Sequence, residues 1–250
     1  MKFTCPIVVI SGGSSGIGES IVQKFIANDY YVYNLDIKNN IMLDTNKNYK
    51  WLNIDVSKDE QVKSAIEAII LERSCINVVI PNAGKHLSAN IESTTNEQLY
   101  ELLNLNLLGA YWLIKYTIPY MKNIGGSIIT IGSDQCSIAK ENSAVYGMTK
   151  AALAHLTKSS ALDYAKFNIR VNCIGAGTID TPLYRDAIMK YSQCSGIELS
   201  TIEQNEGNEQ PIGRIGCSSE VAELAYFLAQ NNVSFITGAL IPIDGGYTAR

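Results

Sequence analysis

Charge, histidine and long apolar runs are all scarce in this chain of 250 residues, and each scarcity closes off a class of function. Charged residues make up 18% of the sequence, the net charge is −4 and nothing forms a basic stripe. That balance argues against a nucleic-acid or membrane-surface partner recruited by charge. Apolar runs end after about five to eight residues, whereas a helix needs about 20 to cross a bilayer. No charged-then-apolar leader precedes the first strand-like segment, so the chain is read as cytoplasmic. The six cysteines (Cys5, Cys75, Cys136, Cys173, Cys194, Cys217) make no C-x-x-C pair, and only two histidines accompany them. Metal ligation needs clustered spacing, so no metal site is expected and the thiols read as small packed apolar groups. Linkers, internal repeats and low-complexity tracts are missing too, which makes residues 1–250 one domain. What is plentiful is apolar residue, 46% of the chain, enough for a sizeable core.

Strand-like apolar runs recur at "IVVIS", "YVYNLD", "KWLNID", "INVVIP", "GSIITIG", "IRVNCI" and "GALIPID". Between most of them the spacing is helical. "GESIVQKFIAND" puts Ile21, Val22, Phe25 and Ile26 on one face, and "DEQVKSAIEAIILER" does the same with Val62, Ala65, Ile66, Ile69 and Ile70. Strand and helix in alternation predict a doubly wound α/β domain of the Rossmann type, with a mainly parallel sheet of about seven strands. The connection from Asp36 to Lys50 is polar, with a short apolar patch at Ile41–Leu43, and no helix is assigned to it. Such sheets bind ligands beyond the carboxyl ends of their strands, where the winding reverses.

The segment "SGGSSGIG", Ser11 to Gly18, lies after the first strand-like run. G-x-G-x-x-G fails at Ser14 and Ile17, and a nucleotide-hydrolysing loop fails at Glu19, where a lysine is required. Gly12, Gly16 and Gly18 instead give G-x-x-x-G-x-G. Glycines allow a tight turn and the close approach of a bulky anion, and a helix starting near Gly16 offers free N–H groups to a pyrophosphate. Ser14 and Ser15 add hydroxyl donors. Asp36 ends the second strand, where a dinucleotide-binding unit keeps an acid for the adenosine ribose. A carboxylate there accepts from the ribose hydroxyls and repels a 2′-phosphate, favouring NAD over NADP, although Lys38 nearby would attract one.

With "PNAG" (Pro81–Gly84), "NLNLLGAYW" around Asn106, Ser133 in "ITIGS", "YGMTK" (Tyr146–Lys150), "PIGRIG" and "IPIDGG" in order, the chain resembles the short-chain dehydrogenase/reductase family nearly end to end. Tyr146 and Lys150 are four apart on a helical pattern and share a face. A phenol has a pKa of about 10, and a nearby ammonium lowers it, so Lys150 is expected to tune Tyr146 as general acid/base. Ser133 is expected to stabilise charge on the substrate oxygen. The resemblance implies that Asn106 holds a water by its main chain, that Lys150 also binds the nicotinamide ribose, and that Asp55 and Val56 flank adenine. It likewise implies that Ile17 belongs to the pyrophosphate turn, that Asn82, Ala83 and Gly84 pass the cofactor, and that Ile179 and Thr181 back the carboxamide. Ala176 replaces a family proline.

Residues 182–213, long and polar, are read as a substrate lid. His86, Asp134, Gln135, Glu141, Tyr184 and Arg185 are candidate pocket residues and suggest a small polar substrate: a hydroxy acid, polyol or sugar. Basic residues near the mouth (Lys85, Lys140, Arg185) are few for docking a carrier-protein thioester. The resulting expectation is an NAD-dependent oxidoreductase between alcohol and ketone, assembled as a homotetramer or homodimer, with His155 at an interface or surface. Two alternatives stand beside it. Asp36 opposes an NADPH-dependent 3-oxoacyl reductase, and the presence of Ser133, Tyr146 and Lys150 opposes a non-catalytic dinucleotide sensor.

Overall fold

The computed structural model describes residues 5–249. In chain order the elements are β1 (Ile7–Ser11), α1 (Gly16–Ile26), β2 (Tyr31–Asp36), α2 (Ile41–Asp44), β3 (Tyr49–Asn53), α3 (Asp59–Arg73) and β4 (Val78–Pro81). There follow α4 (Asn96–Leu102), α5 (Gly109–Met121), β5 (Gly126–Ile131), α6 (Ala144–Tyr164), β6 (Ile169–Ala176) and β7 (Ile179–Asp180). The chain closes with α7 (Pro182–Ser195), α8 (Leu199–Glu209), β8 (Gly216–Cys217), α9 (Ser218–Ala229) and β9 (Leu240–Ile243). Each of the seven runs expected as a strand forms a strand of one parallel sheet, ordered β3-β2-β1-β4-β5-β6-β9.

Successive strand residues point to opposite faces, and both faces here are covered. Val8 and Ile10 of β1 pack with Ile21, Val22 and Phe25 of α1 and with Val221, Ala225 and Leu228 of α9. Ile7 and Val9 pack on the other side with Val62, Ile66 and Ile69 of α3 and with Leu113 and Ile118 of α5. Burial on both faces is why the strands read as continuous apolar runs. The order reverses between β1 and β4, and that switch point sets where a ligand enters.

Two segments differ from the sequence expectation. The Asp36–Lys50 connection contains the single turn α2, capped by the Asn40 side chain, which accepts from Met42 N. Residues 182–213, read as a long polar stretch, carry two helices. α7 starts where Thr181 accepts from Tyr184 N with Pro182 next in line, and ends at Gly196 with φ +74°. Only Ile188 of α7, and Ile202 and Gly207 of α8, are buried, so the pattern was too sparse to read as amphipathic. No helix among the described residues is long and apolar enough to cross a membrane.

Candidate active site

A cavity of about 910 Å³ runs along the carboxyl ends of the strands, from Asp36 and Asp55 at one end to Tyr184 and Glu206 at the other. The turn between β1 and α1 is its floor. Gly12 has φ +68°, and a Cβ on it would stand 2.8 Å from Ala83 Cα; one on Gly18 would stand 2.0 Å from Gly12 O. No other residue type fits that turn. Ser15, the N-cap of α1, makes no side-chain cap, and it lines the cavity with Gly16, Ile17 and Gly18. The first N–H groups of α1 are therefore available to an anion.

Beneath the turn lies a buried amide that sequence reading missed. Asn34, fully buried between the apolar Tyr33 and Leu35 of β2, accepts from Gly13 N at 2.8 Å and donates to Ser14 Oγ and Tyr49 Oη, each at 2.9 Å. A lone amide among apolar strand residues was the available signal. Ser14 lies outside the cavity lining, and its hydroxyl donates to Lys38 O at 2.6 Å. The Asp36 carboxylate accepts from Ser14 N at 3.1 Å and Lys38 N at 3.0 Å, which fixes it at the cavity's end. Val56, Asn82, Ala83 and Gly84 line one wall and Ile179 and Thr181 another. Glycines with no room for a Cβ, an open helix N-terminus and an oriented carboxylate fit a dinucleotide.

Ser133, Tyr146 and Lys150 meet at the middle of the cavity. Lys150 is buried, donates from Nζ to Ile131 O at 2.8 Å and lies 5.7 Å from the centre of the Tyr146 ring. In this state burial, and not Lys150, dominates the Tyr146 phenol. Burial pushes it up to about 12; a hydrogen bond with Ser133 opposes the rise, while Asp134 and Cys136 add to it. Burial also pushes Lys150 below the ordinary lysine range. Ser133 Oγ donates to Asp134 Oδ1 at 2.7 Å and accepts from Gln135 N at 3.2 Å. Asn106 does not line the cavity. It is buried in a π-helical turn, Leu103–Leu108, between α4 and α5. Its Oδ1 accepts from Lys85 N and its Nδ2 donates to Lys85 O, each at 2.9 Å, with a third bond to Thr149 Oγ1 at 3.3 Å. It thereby ties the loop after β4 to α6, a use of a π-turn at a site of this kind.

Of the candidate pocket residues, His86, Asp134, Gln135, Glu141 and Tyr184 line the far end, and Arg185 does not. Arg185 instead pairs with Asp180 at 2.7 Å and Glu203 at 3.2 Å, joining α8 to the start of α7. His86 packs edge-on against Tyr146 with ring centres 4.9 Å apart. Burial and the charge of Lys140 hold it below the usual histidine range. Lys140 forms an ion pair with buried Asp134 at 2.7 Å. Glu206 reaches the cavity from α8, its carboxyl raised by burial and by Glu209. Gln135 Oε1, Ser143 Oγ and Tyr184 Oη are buried without a hydrogen-bond partner in the protein. Nothing local in the sequence marked Glu206 or Ser143, because they converge from separate segments.

Residues 12–248 match the family model described as enoyl-(acyl carrier protein) reductase, one of the short-chain dehydrogenases. The chain belongs to the short-chain dehydrogenase/reductase family. This oxidoreductase is 32% identical over 250 residues to the L-fucose dehydrogenase of Mus musculus, an overlap covering 98% of this chain and 89% of that protein. Its structure is similar to the ligand-free aldohexose dehydrogenase of Thermoplasma acidophilum, with TM-score 0.91 and 36% identity over 98% of this chain and 95% of that one. A short-chain dehydrogenase family protein of Francisella tularensis subsp. tularensis gives TM-score 0.91 and 37% identity over 99% and 100%. Both the fold and the resemblance read from the motifs are borne out, and the nucleotide end is that of an NAD(P)-binding enzyme.

Proposed function

We propose that this dehydrogenase oxidises a small sugar or polyol and uses NAD. The observation that carries the reading is the far end of the cavity. There the Asp134–Lys140 pair and Glu206 lie beside the buried polar atoms of Gln135, Ser143 and Tyr184, which have no protein partner. Buried polar atoms without partners are costly, and a ligand with several hydroxyls satisfies them. The names of the mouse and Thermoplasma relatives, both dehydrogenases of sugars, support the same substrate class.

The glycine turn and the first turn of α1 hold the pyrophosphate, Asp36 the adenosine ribose, and Lys150 the nicotinamide ribose. Asp55, Val56 and Asn82–Gly84 flank the adenosine side, and Ile179 and Thr181 the carboxamide. When bound, nicotinamide supplies the hydride acceptor. Tyr146 takes the hydroxyl proton of the substrate in oxidation and returns it in reduction. Ser133 has one proton to give, to Asp134 at rest and to the substrate oxygen as charge develops there. Asn106 keeps the loop bearing Gly84 and Lys85 against α6. Helices α7 and α8 cover the substrate and exclude water.

An acyl-carrier substrate is less well supported, because the basic residues near the mouth are already paired: Lys85 with Glu101, Lys140 with Asp134, and Arg185 with Asp180 and Glu203. The exposed Leu162, Phe227 and Phe235 support assembly as a homodimer or homotetramer. The test is a screen of aldoses, polyols and hydroxy acids with NAD and with NADP, reading reduced-cofactor absorbance. Turnover of at least one aldose or polyol is expected, with higher kcat/KM for NAD. Tyr146→Phe should lose about 10²–10⁴-fold in kcat while still binding NADH. Turnover confined to acyl thioesters, or NADP preferred over NAD, would refute the proposal.

A further inference from the structure

Two cysteines that the reaction does not use converge beneath Ser133. Cys136 ends the single 3₁₀ turn Asp134–Cys136 after Ser133, and Cys173 lies in the middle of β6. A Cβ on Gly132 would stand 2.7 Å from Cys173 Sγ and 2.8 Å from Cys136 Sγ. The absent side chain thus leaves the space in which the two sulfurs meet. The Cys173 S–H donates to Ile174 O at 3.9 Å, and each thiol shifts the other's hold on its proton. Cys136 is partly exposed, whereas Cys173 is fully buried.

Cys136 also links the groups assigned to catalysis. Its sulfur accepts from Ser133 N at 3.3 Å, and its S–H donates to Lys150 O at 3.2 Å. The neighbouring Cys173 thiol, the bond from Ser133 N and Lys150 bring the Cys136 thiol below the ordinary thiol range against the opposing effect of burial. The same contact, together with burial, holds the proton on Cys173. A partly exposed, acidified thiol supplies an attacking sulfur, and a second cysteine at the same glycine supplies a resolving one once it gives up its proton.

We propose that Cys136 and Cys173 form a peroxide-sensitive thiol pair that closes to a disulfide and switches the enzyme off. The Cys136 thiolate attacks hydrogen peroxide and the O–O bond breaks. This leaves a sulfenic acid on Cys136 and a hydroxide that is protonated to water. The Cys173 sulfur then attacks Cys136 Sγ, the S–OH bond breaks, and the leaving hydroxide takes the Cys173 proton as a second water. Two thiols are oxidised by two electrons, and one peroxide is reduced to two waters. The disulfide removes the S–H that bonds Lys150 O and draws the turn bearing Ser133 toward β6. Loss of activity rests on the roles given above to Ser133 and Lys150; formation of the disulfide does not.

The reduced full chain is treated with hydrogen peroxide, free thiols are alkylated, and the digest is mapped by mass spectrometry. The expected result is a peptide pair linked through Cys136 and Cys173, lighter by two hydrogens and separated by dithiothreitol. Activity on a substrate from the screen should fall with the same time course and return with dithiothreitol. Cys173→Ala should give no cross-link and a sulfenic acid on Cys136 that dimedone traps, and Cys136→Ser should keep whatever activity it has under peroxide. Peroxide-treated protein with both cysteines still alkylated, or with either linked elsewhere, would overturn the pair whatever the substrate proves to be. A complete Cys136–Cys173 disulfide with undiminished turnover would overturn the switch.

Discussion

Tyr146 illustrates how one side chain's chemistry is set by two opposing terms. The phenol is held up to about 12 by burial, and the lysine expected to oppose this is itself discouraged from carrying charge and bonded to a strand carbonyl. In the role proposed for it, Tyr146 at rest carries its proton, the form that ketone reduction needs. The sign for pH follows. Oxidation needs the deprotonated phenol, so kcat/KM for alcohol oxidation should rise steadily from neutral into the alkaline range. Ketone reduction needs the protonated form and should stay level over that range. Stability runs the opposite way to oxidation, since a folded pKa above the ordinary 10 makes a contribution that is complete below 10 and lost as pH climbs toward about 12. Initial rates in both directions against pH test this, and an oxidation profile that falls through the alkaline range would contradict the assignment.

Helices α7 and α8 are held over the cavity by few interactions. Each turns one isoleucine inward, Ile188 and Ile202, and the exposed Arg185 bridges Asp180 and Glu203 between them. Elements with little buried apolar area are those that open most easily. Exposed ion pairs are individually weak, so the bridge biases closure without deciding it. Arg185→Ala should raise substrate KM by up to about fivefold, with a smaller loss of NADH affinity, because the bridge reaches the carboxamide residues Ile179 and Thr181 only through Asp180 between them. Steady-state kinetics and NADH titration separate the two effects. An equal loss of NADH affinity would show that the bridge supports the whole cavity rather than the cover.

The cavity crosses the switch point of the sheet, from the residues after β2 and β3 to those after β6. A ligand filling its length therefore links both halves of the molecule. Binding only to the folded state stabilises by about 2.7 kcal/mol at a concentration of 100 Kd. For a chain of this size that corresponds to about 5–10 °C in Tm. NADH should produce such a shift and NADPH a smaller one, because Asp36 is anchored by Ser14 N and Lys38 N facing the cavity's end. Thermal unfolding with each nucleotide measures it, and equal shifts would remove Asp36 as the discriminator.

The sheet, the glycine turn and the Ser133–Tyr146–Lys150 series were all readable in the chain, for a local reason. Strands buried on both faces need continuous apolar residues, and a turn without room for a Cβ needs glycine at Gly12 and Gly18. A helix spacing of four also aligns two side chains without help from elsewhere. Three features depended on what the fold brings together from distant segments. Asn34 reaches under the turn 21 residues before it, and Glu206, Lys140 and Tyr184 line one end of the cavity from three separate segments. Cys136 and Cys173 converge on Gly132 because β5 and β6 are neighbours. Protonation belongs to the same group. Tyr146 and Lys150 are the residues the pattern names, but their charges are set by depth of burial, a property of the assembled molecule and not of neighbours along the chain.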